Sequence, residues 1–238
     1  MNELDFIKKA LQKISIKTSD AEAEKLFEYH NMFIEKNKVV NLTAITDFEE
    51  VVTKHFVDSL CLKKVYEPAA GSTGIDVGTG AGFPGVPLGI IYPKCEIVLL
   101  DSLNKRVEFL KEVKRQIGLM NLEPVHCRAE DAAKSEKHRE KYDFCVSRAV
   151  ANLSTLCEYC LPFVKTGGVF AAYKSENCAD ELKEAANAIK MLGGTLEKTE
   201  QYQLPDTDIM RMLVLIRKTG TTPEKYPRRA GMPAKRPL

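Results

Sequence analysis

No stretch of this chain approaches the roughly 18 consecutive apolar residues that a bilayer-crossing helix requires. Its start, Met1-Asn2-Glu3-Leu4-Asp5, is acidic and has no apolar signal-peptide core, which predicts a cytosolic protein. There is no sustained heptad, and a monomer is expected. The four histidines are scattered, and no nucleophile–base pair or metal-ligand spacing emerges. Metal or nucleophilic chemistry is therefore not expected, and no catalytic base is identified. The seven cysteines (61, 95, 127, 145, 157, 160, 178) are odd in number and lie mostly in apolar segments, which suits free thiols in a reducing compartment. Cys157-Glu158-Tyr159-Cys160 has C-x-x-C spacing but neither a second pair nor a redox-type strand and turn before it. Excess charge of one sign is missing too. Among 238 residues the net charge is only +2, but it is unevenly placed. Residues 217–238 hold seven Lys and Arg against one acid, a net +6, and the rest of the chain is −4. A basic tail on a mildly acidic body points to a polyanionic partner.

The most informative stretch is Gly74-Ile75-Asp76-Val77-Gly78-Thr79-Gly80-Ala81-Gly82-Phe83-Pro84-Gly85. A short apolar strand enters a glycine-dense turn, and a proline opens a helix, as in a nucleotide-type cofactor site. Two readings fit it. Gly80, Gly82 and Gly85 satisfy the dinucleotide pattern G-x-G-x-x-G, with Asp101 closing the next strand where a ribose acceptor belongs. Counted from the strand, however, the first glycine is Gly78, and the pattern is Asp-x-Gly-x-Gly-x-Gly from Asp76. That register resembles motif I of the class I S-adenosylmethionine-dependent methyltransferases.

Before this loop, residues 1–65 read as a helical cap. Leu4, Ile7, Leu11 and Ile14 have helical spacing, and Ser19-Asp20 offers a cap before Leu26, Tyr29, His30, Phe33 and Ile34. A polar turn is expected over Lys36–Thr43 and a third helix over Phe48–Val65. There His55 lies on the apolar face, which favours a packed residue over a base. From Ile75 strands and helices alternate, which predicts a parallel, doubly wound α/β sheet within a domain spanning 66–218. Strands are expected near Gly74–Val77, Glu96–Leu100, Glu123–Cys127, Phe144–Ser147 and Val169–Ala172, with one helix over Asn177–Met191. Leu196–Gln203 and Met210–Arg217 then follow without an intervening helix, as a terminal antiparallel hairpin. Residues 219–238 form the basic tail.

In such a sheet the strand ends converge on the ligand. They bring together Asp76, Gly78 and Phe83, then Asp101, then Arg128-Ala129-Glu130, then Ser147-Arg148-Ala149. Asp101 could equally be a helix cap and Glu130 a first-turn acid. Arg148 closes an apolar strand at the active edge, where an anion is expected. The missing base suits methylation of an atom with a free lone pair. A hydride-transferring oxidoreductase, a non-catalytic RNA binder and a small-molecule methyltransferase remain as alternatives.

Several segments together resemble the RsmG (GidB) family of bacterial 16S rRNA guanine-N7 methyltransferases. They are Asn41-Leu42-Thr43, His55-Phe56-Val57-Asp58-Ser59-Leu60, the loop from Asp76 to Leu88, Leu100–Arg106, Arg128-Ala129-Glu130, Ser147-Arg148-Ala149, and the tail from Tyr226 to Leu238. The resemblance covers the chain in order from about residue 40. It implies S-adenosylmethionine as donor, with cofactor contacts at Gly78, Phe83, Ala129, Glu130 and Arg148 and with Asp101 at the ribose. It implies the decoding-region loop of small-subunit rRNA as substrate, free or in the small ribosomal subunit. Phe83, where relatives often carry an aliphatic residue, and Tyr173-Lys174-Ser175 depart from the family pattern, both expected near the pocket. In the tail, Lys225, Arg228, Arg229, Lys235 and Arg236 are spaced by prolines and Gly231. This predicts an extended phosphate-tracking segment that orders on RNA. On that reading, replacing Arg228 and Arg229 weakens RNA binding and leaves cofactor affinity unchanged.

Overall fold

The computed structural model describes residues 2–148, 151–176 and 178–238. Met1, Ala149 of the Ser147-Arg148-Ala149 run and Asn177, the expected start of a helix, lie outside the described residues. Helix α1 (Glu3–Gln12) starts at Asn2, whose side chain accepts from the Asp5 N–H. Helix α2 (Asp20–Val40) opens with a capping box between Ser19 and Glu22 and buries Leu26, Tyr29, His30 and Phe33. It overruns the expected turn. Nothing in Lys36-Asn37-Lys38-Val39-Val40 breaks a helix, and the stop comes at Asn41, which takes the left-handed conformation (φ 52°). Asn37 then clamps the loop beyond: its amide donates to the Thr43 carbonyl (2.9 Å) and its oxygen accepts from the Thr43 N–H (2.8 Å).

The third expected helix is composite: α3 (Phe48–Val51), a π-wound turn (Val52–Val57), α4 (Asp58–Leu60) and a 3-10 turn (Cys61–Lys64). The wider turn lets Phe56, Val57, Asp58 and Ser59 all be buried in succession, which a 3.6-residue period does not foretell.

Seven strands follow: β1 (Thr73–Val77), β2 (Glu96–Asp101), β3 (Leu122–His126), β4 (Tyr142–Arg148), β5 (Val164–Ser175), β6 (Gly194–Gln203) and β7 (Met210–Lys218). Their order across the sheet is β3-β2-β1-β4-β5-β7-β6. The first five are parallel, and β7 lies antiparallel to both its neighbours. Between them run α5 (Gly85–Ile91), α6 (Asn104–Ile117), α7 (Ala129–Ala132), α8 (Leu153–Cys160) and α9 (Ala179–Met191). The expected α/β sheet with a terminal hairpin is thus present. Chain order reverses between β1 and β4, so a crevice opens where those strands end.

Both faces of the sheet are covered, which is why β2 reads as an unbroken apolar run. Ile97 and Leu99 pack with Leu11, Leu26, Phe33, Val86 and Phe109. Val98 and Leu100 pack on the other side with Leu153, Leu156 and Ala185. The N-terminal helices therefore share one core with the sheet. After β7 the chain is not the extended segment expected. Arg139 donates to the carbonyls of Thr222 (2.8 Å) and Tyr226 (2.9 Å), Tyr226 and Pro233 are buried, and residues Met232–Lys235 form the short helix α10. These anchors hold the tail against the body.

Candidate functional site

Leaving β1, the chain turns through Gly78, Gly80 and Gly82 at φ of 72°, 62° and 113°, a region that favours glycine. A Cβ on Gly80 would meet nothing nearer than the Gly78 carbonyl at 4.0 Å, so it would project into open space. Asp76 stands behind this loop. Its Oδ2 accepts from the Thr79 hydroxyl (2.6 Å) and the Gly85 N–H (2.8 Å), and Oδ1 has no partner. Complete burial pushes its pKa up to about 7 against the opposing pull of those two donors. The acid therefore braces the loop from beneath. Asp101 braces it from β2: Oδ2 accepts from the Gly80 N–H (2.9 Å) and Oδ1 from the Leu103 N–H (2.8 Å). The Gly80 amide, which a pyrophosphate would need in the dinucleotide reading, is thus already committed.

A cleft of about 790 Å³ opens above the loop, and Gly78, Phe83, Asp101, Ala129, Glu130 and Arg148 all line it. The strand ends bring these six expected residues together. Glu130, buried in the first turn of α7, accepts from the Gly231 N–H (2.8 Å). Arg148 meets its anion within the protein: it donates to Asp58 Oδ2 (2.9 Å) and to the Lys54 carbonyl (3.3 Å). Asp58 Oδ1 accepts in turn from the Tyr202 hydroxyl (2.8 Å), so α4, β4 and β6 meet at one carboxylate.

Arg148 also lies 3.3 Å from His55 Nδ1. A guanidinium only donates, so Nδ1 accepts and Nε2 carries the proton, 3.4 Å from Thr43 Oγ1. Burial first, and the Arg148 charge second, push the His55 pKa down to about 3. His55 is packed, as expected, but on the cleft wall rather than in the core. Its ring stacks on Phe83 at 4.7 Å, and Phe33 meets the same ring edge-on at 5.3 Å. Tyr29 completes the cluster, 5.4 Å from Phe83, with its hydroxyl donating to the Ala81 carbonyl (2.8 Å).

Phe33, Leu42, Thr43, His55, Tyr159, Gly231 and Ala234 line the cleft without having been expected there. Asn41-Leu42-Thr43 and the run from His55 carried the family resemblance but no role. Gly231 and Ala234 fall in the tail that also carried the resemblance, but nothing local placed them at the cleft. The departure at Tyr173-Lys174-Ser175 lies outside the cleft: the Tyr173 hydroxyl donates to the Ser59 carbonyl (2.5 Å), and Lys174 pairs with Glu181 (2.6 Å). Of the two departures, Phe83 is the one that lines the cleft. In the tail, Lys225, Arg229, Lys235 and Arg236 are exposed. Arg228 is not free to track phosphate, because its guanidinium forks onto Glu158 (2.5–3.1 Å). Among the described residues no cluster of His, Cys, Asp and Glu is placed to hold a metal, and no helix is long and apolar enough to cross a membrane.

The family model for GidB, rRNA small subunit methyltransferase G, matches residues 22–210. The chain is 48% identical over 234 residues to the ribosomal RNA small subunit methyltransferase G of Alkaliphilus metalliredigens, covering 98% of each chain. Among solved structures, a predicted O-methyltransferase of Agrobacterium tumefaciens superposes with a TM-score of 0.55 at 17% identity, over 69% of this chain and 82% of that one. M. jannaschii TYW2 in complex with AdoMet superposes with a TM-score of 0.50 at 15% identity, over 67% and 74%. These two are similar in fold.

Proposed function

The chain belongs to the rRNA small subunit methyltransferase G (GidB) family, and from that premise we propose that it transfers the methyl group of S-adenosylmethionine to N7 of a guanine in the decoding-region loop of 16S rRNA. The cleft suits that donor. Its loop leaves open space above Gly80, carboxylates stand at Asp101 and Glu130, and an aromatic wall stands at Phe83. Bound there, the cofactor supplies an electrophilic methyl carbon on a sulfonium sulfur. Transfer would join that carbon to the guanine N7 lone pair, with the C–S bond pair remaining on sulfur, and would ask no residue of this chain to take a proton.

The observation that carries the reading is that, among the described residues, none beside this cleft is poised as a base. His55 is neutral, with Nδ1 occupied by Arg148 and its proton on Nε2. Arg148 is itself neutralised by Asp58. What remains for the protein is to bind, orient and exclude water, which is sufficient where the acceptor already has its lone pair. Cofactor contacts are proposed at Gly78, Phe83, Asp101, Ala129, Glu130 and Arg148. The exposed Lys225, Arg229, Lys235 and Arg236 are proposed to meet RNA phosphates. The working unit is proposed to be a cytoplasmic monomer acting on 16S rRNA or the small subunit, with a cap (1–65), a cofactor domain (66–218) and a basic tail (219–238).

The test is methyl transfer from labelled S-adenosylmethionine to small subunits from a strain lacking this protein, followed by nucleoside identification. Label in 7-methylguanosine of 16S rRNA is expected. Cofactor binding without label in rRNA would overturn the acceptor, and label in another nucleoside would overturn the atom.

A further inference from the structure

The tail reads as an RNA-binding appendage, yet its geometry ties it to the cofactor site. Glu158 on α8 has a fully buried carboxylate inside the body of the protein. It accepts from the Arg228 backbone N–H (2.8 Å) and from the Arg228 guanidinium through both oxygens. Three residues later the chain turns at Gly231 (φ 80°), whose N–H donates to Glu130 Oε1 (2.8 Å). Two residues beyond that, the Pro233 carbonyl accepts from the buried Thr155 hydroxyl (3.1 Å). Gly231 and Ala234, which these bonds fix in place, line the same cleft as Asp101 and Glu130.

A buried carboxylate requires a partner, and Arg228 is the only cation on this one among the described ion pairs. A planar guanidinium on two carboxylate oxygens fixes orientation as well as distance, which a single ammonium contact does not. The geometry points to Arg228 and Glu158 as positioning residues for S-adenosylmethionine: their fork seats the C-terminal segment as a wall of the cofactor cleft and presents Gly231 to Glu130. This rests on the cleft being the cofactor site. It divides the tail's basic residues into one that faces inward for the cofactor and others that face outward for RNA. The neighbours Arg228 and Arg229 then have opposite roles.

The experiment measures S-adenosylmethionine affinity by equilibrium titration calorimetry, without RNA, on the full chain and on Arg228→Ala, Arg228→Lys, Glu158→Gln and Arg229→Ala. Melting temperature is recorded alongside. Arg228→Ala is expected to weaken cofactor binding about tenfold or more, and Arg228→Lys to recover only part of it. Arg229→Ala is expected to stay within about twofold of the parent. Glu158→Gln keeps the size of the side chain and leaves no buried charge unpaired, so it tests the fork even if Arg228→Ala does not fold. It is expected to weaken binding several-fold with little change in melting temperature. In turnover assays the loss should appear in KM for the cofactor and recover at saturation, a split that general loosening would not give. Parent-like cofactor affinity in folded Glu158→Gln, or equal losses in Arg228→Ala and Arg229→Ala, overturns the assignment. Absence of cofactor binding in the parent chain would instead overturn the cofactor reading beneath it.

Discussion

The N-terminal helices reach the cleft with rings, and the C-terminal segment reaches it with a guanidinium and backbone amides that donate to carboxylates of the body. On the N-terminal side, Tyr29 and Phe33 of α2 pack against Phe83 of the glycine loop inside a continuous apolar core. On the C-terminal side, Arg228 and Gly231 are held by Glu158 and Glu130. The two forms of attachment differ in what weakens them. Apolar burial scales with area and is not screened by salt. An ion pair with one partner a quarter exposed is partly screened and is lost when either charge is removed. The wall near Phe83 is therefore part of the folding unit, and the wall near Glu130 is the one that local changes can loosen on its own.

The largest break in this contrast is expected from Tyr29→Ala, which removes a fully buried ring and the hydroxyl bond to Ala81. A loss of about 3–5 kcal/mol of global stability is expected, read as the shift of the urea midpoint at constant m. Tyr29→Phe should cost only about 1–3 kcal/mol, the unpaired Ala81 carbonyl being the main debit. A change below ~1 kcal/mol in Tyr29→Ala would mean that the N-terminal helices are an appendage after all.

The polar side should show an asymmetry instead. Arg228→Ala strands the Glu158 charge in the interior, whereas Glu158→Ala leaves Arg228, whose side chain is 25% exposed, able to turn to water. The first is expected to cost up to about 3 kcal/mol and the second about 1 kcal/mol or less. Equal costs, measured by denaturant unfolding at neutral pH, would show that Glu158 is not buried as described.

The glycine loop that both walls close upon gives a pH test. With the Asp76 pKa raised to about 7 from an ordinary 3.8, the folded state holds a proton that the unfolded chain releases between those values. That contribution to stability is complete below about pH 4 and is lost as pH rises towards 7, by at most ~1.4 kcal/mol per pH unit. Asp76→Asn, which cannot titrate, should have a flatter stability curve across that window. Parallel curves for the two proteins at pH 4.5, 6 and 7.5 would remove Asp76 from the account.

How much of this was legible before the structure depends on the range of the contact. The strand–glycine–helix pattern, the alternation after Ile75 and the terminal hairpin are local signals, and the sheet follows from them. The convergence of Gly78, Asp101, Glu130 and Arg148 follows from the rule that ligands sit where parallel strands end. The partners of those residues were not legible, because they lie far away in the chain: Asp58 is 90 positions from Arg148, and Gly231 is 101 from Glu130. The π-wound turn that presents His55 also leaves no mark in a 3.6-residue period. The tail misled for a similar reason. Its charge and prolines describe an extended basic strand, and nothing near Arg228 in sequence reveals the buried Glu158, 70 residues earlier, that claims it.

The finest division the comparison allows lies within the tail. Arg229 is exposed beside the anchored Arg228, so Arg229→Ala should leave both the fold and the cofactor site in place. If Arg229 meets a phosphate, its loss removes about one released counterion. The slope of log affinity for 16S rRNA against log salt should then become shallower by roughly 0.7–0.9. The expected loss of affinity is modest and shrinks as salt rises, unlike the loss from a broken core contact, which salt does not screen. A slope unchanged from the parent would mean that the outward face of the tail carries no phosphate contact at this position. The exposed Lys225, Lys235 and Arg236 would then be the residues to test by the same measurement.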